Sequence, residues 1–150
     1  MRRNEYELRE VYSFETIEDF WCMYNNVYGV TEVISNTDYL LFKKGVRPEW
    51  EDPANKQGGK WVVTMSIEDD MEEDCEKAWL NLILHLISGQ LPKTQREVIN
   101  GIVFSIRDKH LRLSIWCSVS KDKNLLLEVG KTLKNICQLE NKYKFGFQYH

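Results

Sequence analysis

Residues 102–117 read IVFSIRDKHLRLSIWC, with apolar and polar residues alternating on either side of a short charged centre. A period of two places successive side chains on opposite faces of a β-strand. The stretch therefore predicts two antiparallel strands joined by a hairpin at 107–111. On the second strand, this alternation puts Arg112, Ser114 and Trp116 on the same face.

Apolar residues at helical spacing predict three helices elsewhere in the chain. The first opens at Thr16, whose hydroxyl is expected to cap it, while Gly89 and Pro92 are expected to end the second. The predicted helices cover 17–27, 71–88 and 122–138, and further strands are predicted at 6–14, 39–42, 61–65 and 143–149. We therefore expect an α+β fold, in which an antiparallel sheet carries helices on one face.

The composition of the chain suits one globular domain over 1–150, with 43% apolar and 29% charged residues. Twenty Lys and Arg against 23 Asp and Glu give a net charge of −3, which excludes coating of nucleic acid by charge alone but allows a local basic patch. Four widely spaced cysteines are typical of cytosolic thiols rather than of a metal-ligand pair. No apolar run is long enough to cross a bilayer, so we expect a cytoplasmic protein without a membrane segment.

Signatures of catalysis are sparse in this sequence. Three histidines are scattered along the chain, and no Ser-His-Asp or Cys-His order stands out. Seven of the residues 68–76 are acidic, but they surround a helix start, where the dipole favours negative charge, and they lack the pattern of a calcium loop. We expect no catalytic residue, metal or cofactor. A metal-dependent nucleotide hydrolase that uses this acidic run is the enzymatic alternative.

The charged hairpin has the residue types and the spacing for binding a nucleotide. Arg107, Lys109 and Arg112 place cations around it, and Trp116 lies four residues beyond Arg112 on the same strand face. Four residues of strand span about 13 Å, about the distance from a nucleotide's base to its outer phosphates. A solvated hairpin with Trp116 in the core explains the same spacing, and spacing alone slightly favours it.

Trp50 and Glu51 lie in a loop after Pro48, without a helical or strand pattern that would bury the indole. An indole can stack on a purine, while the neighbouring carboxylate accepts the N–H groups on the N1 and N2 edge of guanine. A methyl group on N7 makes the base cationic, which adds a cation–π contribution and strengthens both hydrogen bonds. The alternative is a tryptophan that packs the loop onto the sheet, and this position alone favours that alternative.

Four motifs resemble those of the eukaryotic initiation factor 4E family, the messenger-RNA cap-binding proteins. They read FETIEDFWCMYNN at 14–26, DYLLFKKG at 38–45, PEWED at 48–52 and NKQGGKW at 55–61. Trp79, Leu80, Arg107, Ile115 and Trp116 match the family in order and spacing as well. The similarity runs from Leu8 to His150, which is nearly the whole chain.

The resemblance implies a curved antiparallel β-sheet with three helices packed on its convex face and the cap held on its concave face. By position, Trp50 would stack on 7-methylguanine, Glu51 would accept its N1 and N2 protons, and Trp116 would touch the methyl group. The residues that would hold the triphosphate are Arg107, Arg112 and Lys109.

On the convex face, the resemblance implies a site for a helical motif carried by a scaffold initiation factor or by inhibitors. The residues at those positions are Ile17, Trp21, Leu80 and Leu84. Ile17 and Trp21 would otherwise be ordinary core positions of an amphipathic helix. An exposed tryptophan on this face would favour the interaction.

The amino-terminal segment departs from the family pattern, and we expect it to be shortened, beginning at about the family's second strand. Asn4 stands where the family has its other stacking tryptophan. Tyr6 has the same strand parity as position 4, and we expect it to stack there more weakly than an indole. Asn81 stands where the family has an acidic contact to its partner.

The sequence thus predicts a factor that binds the cap of messenger RNA and recruits a scaffold protein for translation initiation. Its preference for methylated over unmethylated nucleotide is expected to be modest, because the second stacking position lacks an indole. The alternative, which Asn4 motivates, is an interaction module or translational regulator of the same fold with weak or lost cap binding.

Overall fold

A computed structural model describes residues 10, 13–26, 36–66, 72–119, 121–137 and 144–149. Four helices and five strands follow one another in this part of the chain. The helices are α1 (Ile17–Tyr24), α2 (Glu72–Ile87), α3 (Lys93–Val98) and α4 (Lys123–Cys137). The strands are β1 (Thr37–Phe42), β2 (Gly59–Ser66), β3 (Ile99–Ile106), β4 (His110–Cys117) and β5 (Lys144–Tyr149).

The five described strands form one antiparallel sheet in the spatial order β1-β3-β4-β2-β5. Strands β3 and β4 are the predicted hairpin, and the backbone N–H of Arg107 donates to the carbonyl of His110 at 3.0 Å across its turn. Because β1 and β2 flank this hairpin, the loop between them must pass the ends of two strands. The predicted α+β class with an antiparallel sheet is confirmed.

The helices bury one face of the sheet. In β4, Leu111, Leu113 and Ile115 are buried in the core that α2 and α4 help to form, as alternation predicts. Arg112 and Trp116 point to the other side, and Arg112 is exposed. We call this second side of the sheet the outer face.

The predicted bounds of α2 and α4 agree with the structure to within one residue, whereas α1 ends at Tyr24, before the predicted end at Val27. The backbone N–H of Asp19 donates to the Thr16 hydroxyl at 3.1 Å, so the predicted cap of α1 is confirmed. The number of helices was wrong, because α3 is a fourth helix within the described residues. Pro92 begins it, since the Pro92 carbonyl accepts the backbone N–H groups of Gln95 and Arg96 at 3.0 Å. Six residues are too short to show helical periodicity.

Several predictions fall on residues outside the described part of the chain. In the amino-terminal part they concern Asn4, Tyr6 and the rest of the predicted strand at 6–14 up to residue 12, apart from residue 10. Further along they concern Val27 at the end of the first predicted helix, the first part of the acidic run at 68–71, Gln138 at the end of the third predicted helix and Tyr143 at the start of the last predicted strand. Phe14, at the end of the predicted strand, lies before α1 and packs on Phe20 with ring centroids 5.5 Å apart. None of the described helices combines the length and the apolar character that crossing a membrane requires.

Candidate functional site

A row of four residues crosses the outer face near the end of β4. The strand registers place Phe42, Gly101, Trp116 and Lys60 side by side on β1, β3, β4 and β2. The rings of Phe42 and Trp116 meet edge to face, with centroids 5.4 Å apart. They can do so because position 101 is a glycine, at which a Cβ atom would lie 2.4 Å from the Phe42 ring. The other neighbour is Lys60, whose Nζ lies 5.8 Å from the centroid of the Trp116 ring.

Trp116 is therefore held between an aromatic edge and a cation on the outer face. It is half-buried there, and it is not part of the core between sheet and helices. The interpretation of Trp116 as a core residue of a solvated hairpin does not match this position.

A second row lies four residues further along the strands, which corresponds to about 13 Å. It contains Asp38, Ser105, Arg112 and Thr64. The guanidinium of Arg107, in the turn after β3, donates from both terminal nitrogens to the Asp38 carboxylate at 2.9 and 3.3 Å. This bidentate pair fixes the direction of the Arg107 side chain.

The predicted phosphate-binding cations thus differ in how they are held. Arg107 is braced by Asp38, whereas Arg112 on β4 and Lys109 in the turn are exposed. Lys60 on β2 is a further cation on this face, and its ammonium group interacts electrostatically with Arg112. Burial lowers the pKa of the Lys60 ammonium, the neighbouring Arg112 lowers it further, and Asp38 opposes the shift. The outer face therefore concentrates positive charge beside Trp116, as a polyanion requires.

The loop 43–58 leaves the sheet after Phe42 and returns at Gly59, so both of its ends adjoin the Trp116 row. Trp50 in this loop is 53% exposed, and Glu51 beside it is exposed as well. The alternative that Trp50 packs the loop onto the sheet does not match this exposure.

Asp52 gives the loop its shape. Its carboxylate accepts the backbone N–H groups of Ala54 at 2.9 Å and of Arg47 at 3.0 Å. The hydrogen bond from Ala54 lowers the pKa of the Asp52 carboxyl most, and the one from Arg47 lowers it further below its usual value. A carboxylate buried in this way ties two points of the loop together while Trp50 and Glu51 face outward.

The predicted partner-binding residues lie on α1 and α2. Ile17 and Trp21, one turn apart on α1, are 43% and 36% exposed. Leu80 and Leu84, one turn apart on α2, are half-buried against the core. Burial raises the pKa of Tyr24 on α1, and the negative charge of Glu76 on α2 raises it further.

The model of the family described as eukaryotic initiation factor 4E matches residues 2–150. The chain belongs to the eukaryotic initiation factor 4E family. Eukaryotic translation initiation factor 4E1 of Drosophila melanogaster is 38% identical over 141 residues, which are 94% of this chain and 53% of that protein. Isoform 4E of Arachis hypogaea is 35% identical over 140 residues, 93% of this chain and 66% of that protein. The chain thus spans between half and two thirds of the length of these relatives.

Two solved structures of initiation factor 4E proteins share the curved antiparallel sheet. Ascaris suum eIF4E-3, in complex with the m7G cap, superposes with a TM-score of 0.86 at 31% identity, covering 91% of this chain and 75% of that chain. C. elegans eIF4E-3, in complex with the 4E-binding protein Mextli, superposes with a TM-score of 0.89 at 28% identity, covering 95% of this chain and 80% of that chain.

The structure of this initiation factor 4E family member adds two candidate site residues that the sequence pattern does not single out. Lys60 and Phe42 were seen only as parts of motifs, although both flank Trp116 in the structure. The sequence indicates which face of its strand each residue occupies. Their proximity to Trp116, however, depends on the register between strands that are far apart in sequence. Tyr6 lies outside the described residues, so its stacking stays a prediction.

Proposed function

We propose that this initiation factor 4E family member binds the 7-methylguanosine cap of messenger RNA on the outer face of its sheet. The observation that carries the proposal is the arrangement of the loop and the two rows. The loop with Trp50 and Glu51 begins and ends at the Trp116 row. The Arg112 row follows at about 13 Å, which matches the length of a nucleotide from base to phosphates.

In this arrangement, the base would bind at the loop. The Trp50 indole would stack on 7-methylguanine, the Glu51 carboxylate would accept the N1 and N2 protons, and Trp116 would contact the methyl group. The positive charge of the methylated base adds about 0.5–2 kcal/mol for each aromatic face. Because an unmethylated guanine lacks that charge, discrimination between caps and plain GTP would arise here.

The triphosphate would extend from the Trp116 row toward the β3–β4 turn. Lys60 and Arg112 would meet it along the sheet, and Arg107, directed by Asp38, would meet it near the turn with Lys109 beside it. These contacts raise affinity and make it depend on salt, but they do not distinguish methylated from unmethylated nucleotides. The complex of the Ascaris protein with the m7G cap supports this use of the fold.

We also propose that α1 and α2 recruit a scaffold initiation factor, or an inhibitor, through a helical motif. Ile17 and Trp21 offer exposed apolar surface on α1, and Leu80 and Leu84 are half-buried on α2. The complex of C. elegans eIF4E-3 with Mextli supports the presence of a partner site on this fold. In this proposal the protein acts in the cytoplasm by binding alone, without catalysing a reaction.

Substitution of the Glu51 carboxylate tests the cap proposal. Glu51→Gln keeps the shape of the side chain but loses its charge, so we expect affinity for 7-methyl-GTP to fall by about tenfold or more. Isothermal titration with 7-methyl-GTP and GTP measures the change. Glu128→Gln, an exposed substitution on α4, is the matched control and should bind like the wild type. Equal affinity of Glu51→Gln and the wild type would overturn the proposed base recognition.

A further inference from the structure

Two asparagines lie buried beneath the loop that carries Trp50. Asn55, in the loop itself, is 0% exposed, and Asn100, on β3, is 5% exposed. Burial of an amide is costly unless its hydrogen-bonding groups have partners. Both asparagines bind to backbone atoms of the loop and to each other.

Asn100 occupies a bulge on β3 directly before Gly101 of the Trp116 row. Ile99 pairs with Cys117 and Gly101 pairs with Trp116, so Asn100 is an extra residue between two successive positions of β4. A bulge turns a side chain out of the regular alternation of its strand. Here the Asn100 amide donates to the Ala54 carbonyl at 2.8 Å and to the Asn55 side-chain oxygen at 2.9 Å.

The same residue also holds the start of the loop. The backbone carbonyl of Asn100 accepts the N–H of Lys43 at 2.9 Å, directly after β1. Asn100 therefore binds the loop near both of its ends, and it does so from the strand next to Trp116.

Asn55 carries this connection to the base-binding residues. Its side-chain nitrogen donates to the carbonyls of Arg47 and Glu49, both at 2.9 Å. Because that nitrogen is used by two carbonyls, its side-chain oxygen faces Asn100. Glu49 is followed at once by Trp50 and Glu51.

We propose that Asn100 and Asn55, here named the amide bridge, position the base-binding loop against the Trp116 row before the nucleotide binds. This inference rests on the proposed cap function, because it assigns the bridge a role in base recognition. Neither asparagine is placed against the nucleotide, so both are positioning residues. A loop that is already ordered loses less conformational freedom on binding, which raises affinity.

The test compares Asn100→Ala with a buried-amide control elsewhere. Gln95 on α3 is also buried, but its side chain accepts a hydrogen bond from Thr132 on α4 at 2.7 Å and not from the loop, so Gln95→Ala is the control. Hydrogen–deuterium exchange of the ligand-free proteins reports order in 43–58, and titration with 7-methyl-GTP and GTP reports binding. Thermal unfolding reports the stability of each variant.

For Asn100→Ala, we expect exchange in 43–58 to be about tenfold faster than in the wild type. Affinity for 7-methyl-GTP should fall about tenfold and affinity for GTP about threefold, since both lose the ordered loop but only the methylated base loses its additional attraction. Asn100→Ser, which keeps one donor, should lie between Asn100→Ala and the wild type. The double variant that combines Asn100→Ala with Asn55→Ala should lose no more affinity than the more strongly weakened of the two single variants, because the two side chains act as one unit.

If hydrogen–deuterium exchange in 43–58 is equally fast in Asn100→Ala and in the wild type, the proposed role of the amide bridge is wrong, whatever the nucleotide affinities are. Equal losses of stability and cap affinity in Asn100→Ala and Gln95→Ala would overturn it too. The loss of any buried amide would then lower cap affinity, and the amide bridge would have no special role. A wild type that binds no 7-methyl-GTP would instead overturn the proposed function, and the exchange experiment would still decide whether the bridge orders the loop.

Discussion

At the scale of single residues, the chemistry of the outer face depends on pairs that meet across strands. Lys60 and Trp116 are opposite each other on β2 and β4, and the ammonium lies 5.8 Å from the ring centroid. Their contact orients the indole and keeps a cation on the path of the triphosphate in the proposed complex. The cost is partial burial of the charge, which lowers the pKa of Lys60, as the neighbouring Arg112 does to a smaller extent.

The lowered pKa of Lys60 predicts how cap affinity changes with pH. Lysine binds phosphate only when protonated, and Lys60 loses its proton at a lower pH than an ordinary lysine. Affinity for 7-methyl-GTP should therefore fall as pH rises through the alkaline range, and it should fall earlier in the wild type than in Lys60→Arg, whose guanidinium stays charged.

Titration of both proteins between about pH 7 and pH 10 measures this difference. The ratio of the two dissociation constants at each pH cancels any titration of the nucleotide itself. We expect the ratio of the wild-type constant to the Lys60→Arg constant to rise with pH. A constant ratio would show that the charge of Lys60 does not contribute to binding.

At the scale of elements, α1 shows how one short helix serves the core and the surface together. Thr16 caps it, and Phe20 is 0% exposed, with its ring 5.5 Å from that of Tyr24. Burial of Phe20 fixes the rotation of the helix. Ile17 and Trp21 lie about 60° and 100° to one side of Phe20 around the helix axis, so they extend the apolar stripe beyond the core and remain partly exposed.

Substitution of Trp21 tests the role of this surface. Trp21→Ala should weaken binding of a labelled peptide from the 4E-binding segment of Mextli by about tenfold or more, because buried tryptophans dominate such interfaces. Fluorescence anisotropy measures the affinity. Leu127→Ala, which removes another exposed apolar side chain on α4, should bind the peptide like the wild type.

Affinity for the cap analogue is a second measurement on the same variants. Trp21 lies on a helix that backs the sheet, so 7-methyl-GTP should bind Trp21→Ala and the wild type within about twofold. Peptide affinity that is unaltered by Trp21→Ala, or lowered equally by Leu127→Ala, would contradict the assignment of the partner site to α1.

At the scale of the whole molecule, the sheet separates the two proposed sites. The helices cover one face and would offer the partner surface, while the outer face carries the two rows and the loop 43–58. The loop joins β1 to β2 past the ends of β3 and β4, so residues from four strands and the loop meet in one place.

Much of this architecture could be predicted from local sequence. Alternation in 102–117 was sufficient for the hairpin and for the shared face of Arg112 and Trp116, because strand parity is a local property. Thr16 was sufficient for the start of α1. The PEWED motif at 48–52, which resembles that of a known family, indicated the role of the loop.

The remaining features depend on contacts distant in sequence. The pairing of Lys60 with Trp116 requires the register of β2 on β4, and the Asp38–Arg107 ion pair requires β1 beside β3. The role of Asn100 depends on a bulge that alternation does not show. None of these can be read from a window of neighbouring residues, which is why they emerged only with the structure.

Tryptophan fluorescence during titration with 7-methyl-GTP, run beside GTP and repeated on Trp50→Ala, tests the proposed cap recognition most directly. We predict saturable quenching of the wild type that favours the methylated nucleotide, and an affinity for it at least about tenfold lower in Trp50→Ala. Circular dichroism of both proteins controls for folding. A folded wild type that is not quenched, that binds the two nucleotides equally, or whose affinity survives Trp50→Ala would contradict cap recognition at this loop.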